Sequence, residues 1–219
     1  MNKYIYVSNA EFFEKSALKQ PINTLDHKLE ECYPEFYSLH YDLRLLINKV
    51  PVAKEEMPIH DNYKRWGSLE ISSFDEKIRE TLPKSILLCG FDQEQFQYVA
   101  PQIKDTAEII FFFKCPRIKD MSLLSQFINL KCVHIYWNNA LERLWDMKEN
   151  KQLKVISCMS ISKLRDIDAL KDSGVEYLYL NSESTLGGRK PMLFDPVVIG
   201  QMKKLKHLTL VYKDYVARA

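Results

Sequence analysis

The sequence predicts an α/β solenoid: a stack of short, similar units sealed at the N-terminal end by a helical cap. Three observations carry this. First, a six-residue phrase, apolar at its first, fourth and sixth positions, recurs five times: Ala107, Ile110 and Phe112; Leu130, Val133 and Ile135; Leu153, Ile156 and Cys158; Val175, Leu178 and Leu180; Leu205, Leu208 and Leu210. Its starts are 23, 23, 22 and 30 residues apart, a period that belongs to repeat architectures. Second, the periodicity continues past the phrase. Position 12 of each unit is Ile118, Leu141, Leu164, Leu186 or Val216, and position 18 is Leu124, Met147, Leu170 or Met192, all apolar. Third, residues 1–62 lack the phrase, and an array of this kind needs a terminal unit with a different outer face.

In chain order, Tyr4 to Val7 reads as a strand, and Ala10 to Lys19 and Tyr37 to Val50 read as helices, the second carrying Leu43, Leu45, Leu46 and Ile47. Pro21, Pro34, Pro51 and Pro58 punctuate this region. Residues 1–62 are therefore expected to form the mainly helical cap, and 63–219 the solenoid. Within it, 63–106 hold irregular repeats: Trp66, Leu69 and Ile71, then Lys84, Leu87 and Cys89, with Ile86 to Cys89 as a buried strand. Residues 107–219 hold the regular ones. Side chains alternate across a strand, so positions 4 and 6 point together into the stack, and positions 12 and 18 return on a helix or irregular turn. No unit can bury its apolar side alone; its neighbours supply the other wall. Only nine residues follow Leu210, so the edge of the last strand is expected to be open unless Lys213 to Ala219 folds over it, another chain pairs with it, or the natural chain continues.

The stretches Leu-Lys-Cys-Val-His-Ile (130–135), Val-Glu-Tyr-Leu-Tyr-Leu (175–180) and Leu-Lys-His-Leu-Thr-Leu (205–210) match an L-x-x-L-x-L strand, and on these the chain resembles the leucine-rich repeat family. The unit from Leu153 to Gly174 is similar to the family's 22-residue type. The resemblance begins at about Ala107. It implies parallel strands lining a concave face, and an asparagine or cysteine at position 9 that bonds backbone in the turn after the strand. Cys115 and Asn138 fit that place; Ile161, Glu183 and Lys213 depart from it.

Composition narrows the classes of function. The charge is +2, from 31 basic and 29 acidic residues, which gives no electrostatic case for nucleic acid or an anionic membrane. Lys203, Lys204 and Lys206 cluster, but a solvated face accounts for them. No apolar run reaches a bilayer-spanning length, and the N-terminus does not read as a signal peptide. Five cysteines with no C-x-x-C pair fit free thiols in a reducing compartment, so a cytoplasmic protein is expected. No metal-ligand spacing is present, since His27, His40 and His60 are scattered, and no cofactor motif is found: the Gly187-Gly188 segment lacks the pattern of a phosphate-binding loop. That segment, an insertion of about seven residues in the fourth repeat, reads as a surface loop.

In the family resembled, positions 3, 5, 7 and 8 face outward from the concave side. On this basis Phe111, His134, Ser157, Tyr179 and Thr209 form one row, and Phe113, Tyr136, Met159, Asn181 and Val211 the next. Aromatic and methionine side chains at water-facing positions are the types enriched at interface cores. The residues expected to bind a partner protein or peptide are Phe113, His134, Tyr136, Trp137, Met159, Tyr177, Tyr179 and Tyr212. The alternative is that the N-terminal region or an insert folds back over this face. Cys132 and His134 face the same way with Ser157 beside them, but no carboxylate falls on those rows to orient the histidine, and Glu176 and Glu183 are the nearest. The chain therefore reads as a non-catalytic recognition module; the alternative is a self-associating subunit, a homo-oligomer paired through its C-terminal edge strand.

Overall fold

A computed structural model describes residues 4–6, 42–47, 68–69, 72–182 and 188–218. It is an α/β structure built on one sheet. The elements are β1 (Tyr4–Tyr6), β2 (Leu43–Ile47), β3 (Ser68–Leu69), α1 (Ser72–Thr81), β4 (Ser85–Cys89), α2 (Gln93–Ile103), β5 (Ile109–Phe113), β6 (Cys132–Asn138), β7 (Val155–Ile161), β8 (Tyr177–Asn181), α3 (Val197–Gly200), β9 (His207–Val211) and β10 (Val216–Arg218). The sheet runs β10-β9-β8-β7-β6-β5-β4-β2-β1-β3. The six strands β4 to β9 are all parallel and lie in sequence order, each beside the next, and the sheet does not close into a barrel.

Register follows the sequence phrase. Val133, Ile156, Leu178 and Leu208 are successive partners, as are Ile135, Cys158, Leu180 and Leu210. These residues share one cluster with the returning segments. After β4 the return is α2, opened by a reciprocal capping box in which Asp92 accepts from the Gln95 amide at 3.1 Å and Gln95 accepts from the Asp92 amide at 2.9 Å. Phe96 on α2 meets Phe112 edge-on, with ring centroids 5.2 Å apart. The returns after β5 and β7 carry short 3-10 turns, Ser122–Gln126 and Asp168–Leu170, which insert Leu124 and Leu170, and the return before β9 carries the one-turn helix α3, which inserts Val198 and Ile199.

Several expectations need correction. Leu43–Ile47 is a strand rather than part of a helix; it pairs parallel with β4, placing Leu43 and Leu45 in line with Ile86 and Leu88. The first rung is shifted by one residue. Pairing aligns Ile86 and Leu88 with Ile110 and Phe112, so Pro83, Ile86 and Leu88 carry the phrase, and Leu87 and Cys89 lie on the opposite face. A slip of one residue exchanges the two faces of a strand. Leu69 belongs to β3, an antiparallel partner of β1 at the far edge, and not to a parallel rung. Strands from before and after residue 62 lie in the same sheet. At the other end, of the alternatives open for the last edge, the structure has the first: β10 folds back and pairs antiparallel with β9. The expected helix Ala10 to Lys19 lies outside the described residues.

Candidate functional site

The face of the sheet opposite the inward cluster carries the two rows expected from the sequence. The register joins Phe111, His134, Ser157, Tyr179 and Thr209 as neighbours, and Phe113, Tyr136, Met159, Asn181 and Val211 as neighbours; Leu87 and Cys89 extend them by one strand. The rings form a lattice. Phe113 stacks on Tyr136 at 5.4 Å, Phe111 meets His134 at 5.7 Å and Phe113 at 5.8 Å, and Tyr177 lies 5.9 Å from His207. The Asn181 amide donates to the Tyr179 hydroxyl at 2.9 Å.

This lattice is buried. Phe113, His134, Tyr136, Met159, Tyr177 and Tyr179 are each at most 8% exposed, although none belongs to the inward cluster. Trp137 is half-buried. Tyr212, expected on the same face, instead turns inward: its ring packs edge-on against Phe194 at 5.3 Å, and burial raises its phenol well above the usual range. The physical reason is that β9 ends at Val211, and strand alternation no longer governs the next residue. The alternative expected from sequence, an N-terminal region folded over the face, concerns residues mostly outside those described.

The rim at the strand ends has its own geometry. Gly90, Lys114, Trp137 and Ser160 stand at one place in four successive rungs, and all have positive φ, at 74°, 49°, 56° and 56°. Only the first is a glycine, so three rungs hold a side chain in the left-handed region that L residues avoid. There the Lys114 ammonium lies 5.3 Å from the Phe113 ring and 5.4 Å from the Trp137 ring, within cation–π range.

The turn beyond the rim is held by position 9. The Asn138 amide donates to the carbonyls of Cys115 and Ile118 at 3.0 and 2.8 Å and accepts from the amides of Ala140 and Leu141, both at 2.8 Å. The Cys115 thiol donates to the Leu88 carbonyl at 3.3 Å, and burial pushes it up to about 12. Two further polar anchors escaped the sequence analysis. Asn150 bonds the carbonyls of Leu124 and Phe127, each at 2.9 Å, and accepts from the Trp145 indole at 2.8 Å. Asp42 accepts from the amides of Lys84 and Ser85 at 2.8 and 2.9 Å. In each later rung the corresponding pair of amides goes to a backbone carbonyl, as Glu108 and Ile109 do to Lys84. The Asp42 carboxylate thus starts the ladder. Neither residue lies on the apolar phrase, which is why pattern alone passes over them.

Chemistry is sparse. Cys132 Sγ lies 3.1 Å from His134 Nε2. Glu176 does not serve that histidine: its carboxylate is paired with Lys154 and, at 2.6 Å, with Lys206. Among the described residues no group of three His, Cys, Asp or Glu could hold a metal, and no helix is long and apolar enough to cross a membrane. A groove of about 410 Å³ crosses the returning segments beside Asp120, Arg143, Trp145, Asp146, Asp166 and Asp172. Three of its carboxylates are used by their own turns, accepting from the amides two residues on in Ser122, Lys148 and Asp168. The base of the insertion is clasped by Ser182 and Lys190, whose hydroxyl and amide are 3.0 Å apart; residues 183–187 lie outside the described set.

No protein-family model matches the chain, and no curated protein or solved structure does so either.

Proposed function

We propose that the protein is a non-catalytic recognition module of the leucine-rich repeat solenoid type that grips another protein or a peptide through its aromatic second face. The observation that carries this is the ring lattice itself. A solvated sheet face carries polar side chains, whereas Phe111, Phe113, Tyr136, Tyr177 and Tyr179 give this one the composition of an interface core. Parallel strands in sequence order and the carboxamide of Asn138 in the turn support the repeat class. Because the lattice is buried, a partner gains it by opening the face, and Trp137 at the rim is the expected point of entry.

The test uses Trp137→Asn. Asparagine tolerates positive φ, so the ring is removed without adding backbone strain. A partner captured from native lysate by the wild-type chain, and identified, is expected to bind the variant at least about tenfold more weakly while the melting temperature stays within a few degrees, as for a hot-spot residue. Equal affinity for both chains contradicts the proposal. Self-association through the β9 edge is less favoured, since β10 occupies that edge.

A further inference from the structure

We propose that the outer edge of β10 is a self-association surface: two copies of the chain pair antiparallel, β10 against β10, about a two-fold axis at Val216. This goes beyond partner recognition by the second face and does not depend on it.

The hydrogen bonds of the last hairpin set the geometry. Tyr212 and Tyr215 exchange both backbone bonds, at 2.8 and 3.4 Å, across the Lys213-Asp214 turn. Bonded and non-bonded pairs alternate along an antiparallel ladder. Val216 faces Val211 in the next, non-bonded pair, Ala217 faces Leu210 in a bonded one, and Arg218 faces Thr209 in a non-bonded one. The backbone N–H and C=O groups of Val216 and Arg218 therefore point away from β9. β10 ends the sheet, so among the described residues no strand takes them. An edge of this kind is a template for another strand.

Apolar surface gathers at the same end. Among the described residues seven large hydrophobic side chains are exposed, and four of them are Leu193, Val197, Tyr215 and Val216. These four fall in the return that leads into β9 and in the hairpin that follows it. Exposed hydrophobics scattered singly need no explanation, whereas a concentration at one end marks a contact surface. The inward phrase shows the same thing. Its first two apolar positions are fully buried in three successive rungs, from Leu130 and Val133 to Val175 and Leu178, but Leu205 and Leu208 are only half-buried.

The occupant that fits is a second copy. A two-fold axis generates antiparallel neighbours, so this edge is its own complement. An axis at Val216 sets the outward groups of that residue against the same groups of the other copy, which makes a bonded pair and lays the two valines side by side. It also brings Arg218 of each copy to Asp214 of the other, so unlike charges meet twice. An axis at Arg218 would instead oppose two arginines. β10 has three residues, so the dimer is expected to dissociate on dilution.

The test is sedimentation equilibrium of the 219-residue chain across about a hundredfold range of concentration. The mass is expected to rise from that of one chain towards that of two. Val216→Lys and Val216→Glu each set like charges across the axis, and each is expected to weaken the dimer at least about tenfold. Because Val216 is exposed, both variants are expected to keep the melting temperature of the wild-type monomer to within a few degrees. An equal mixture of the two variants is expected to dimerise again, since unlike charges then face each other; only a pairing of residue 216 with itself gives this rescue. A wild-type chain that stays monomeric at every concentration, variants that dimerise as the wild type does, or a mixture no tighter than either variant alone overturns the proposal.

Discussion

At the scale of single residues, the stack is held by apolar positions and by a few polar side chains that bind backbone across rungs. Leu178 is fully buried between Ile156 and Leu208, and its replacement by alanine should cost about 2–5 kcal/mol in chemical denaturation. Asn150 is equally committed: with its amide spent on two carbonyls and its oxygen on Trp145, Asn150→Ala should cost about 2–4 kcal/mol, because three buried groups lose their partner at once. Glu108 is a milder case. The hydrogen bond from Lys131, with the charges of Lys131 and Lys84, outweighs desolvation and holds its carboxyl below the ordinary value of 4.5. Its folded value is lower than its unfolded one, so the stabilisation is present above the unfolded value and is lost as pH falls through the folded one. Acid titration of stability should therefore be shallower in Glu108→Gln than in the wild type below about pH 4.5; identical slopes would remove this role from Glu108.

At the scale of elements, the correct assignments and the errors share one cause. From Leu130 onward, alternation along the strands fixed both the register and the two rows of the second face, the 23-residue spacing carried that frame back to the wholly apolar β5, and the pairing agrees strand by strand. Where a strand is apolar throughout, alternation is lost. Ile86-Leu87-Leu88-Cys89 admits either frame, and the wrong one placed Cys89 inside. Leu43–Ile47 is also dense in leucine, and a short apolar run does not separate helix from strand. Asp42 settles the matter in the structure by fastening β2 to the start of β4. Asp42→Ala should cost about 1–2 kcal/mol, while Asp42→Asn, which keeps an acceptor, should recover part of it. The end of α1 offers the opposite sign. Leu82 is 63% exposed with φ 46°, so Leu82→Gly removes strain at little cost in packing and should stabilise by up to about 1 kcal/mol.

At the scale of the whole molecule, the middle strands β4 to β8 are buried on both faces, and that governs how the candidate site works. The sequence located the second-face residues and their neighbours, because strand period and repeat length are local properties. Their burial stood only as the alternative reading: whether a sheet face is wet or covered depends on contacts between segments distant in sequence, which no period encodes. Tyr212 failed for the local reason that it stands beyond the strand. A face made of rings and shut from solvent behaves as interior until it opens, so its substitutions should register first as lost stability and only then as lost recognition. Urea denaturation of Tyr179→Ala tests this most directly. A loss of about 3–5 kcal/mol is predicted for truncating a ring packed on both sides, and a loss below about 1 kcal/mol, the value of an exposed tyrosine, would contradict a closed second face.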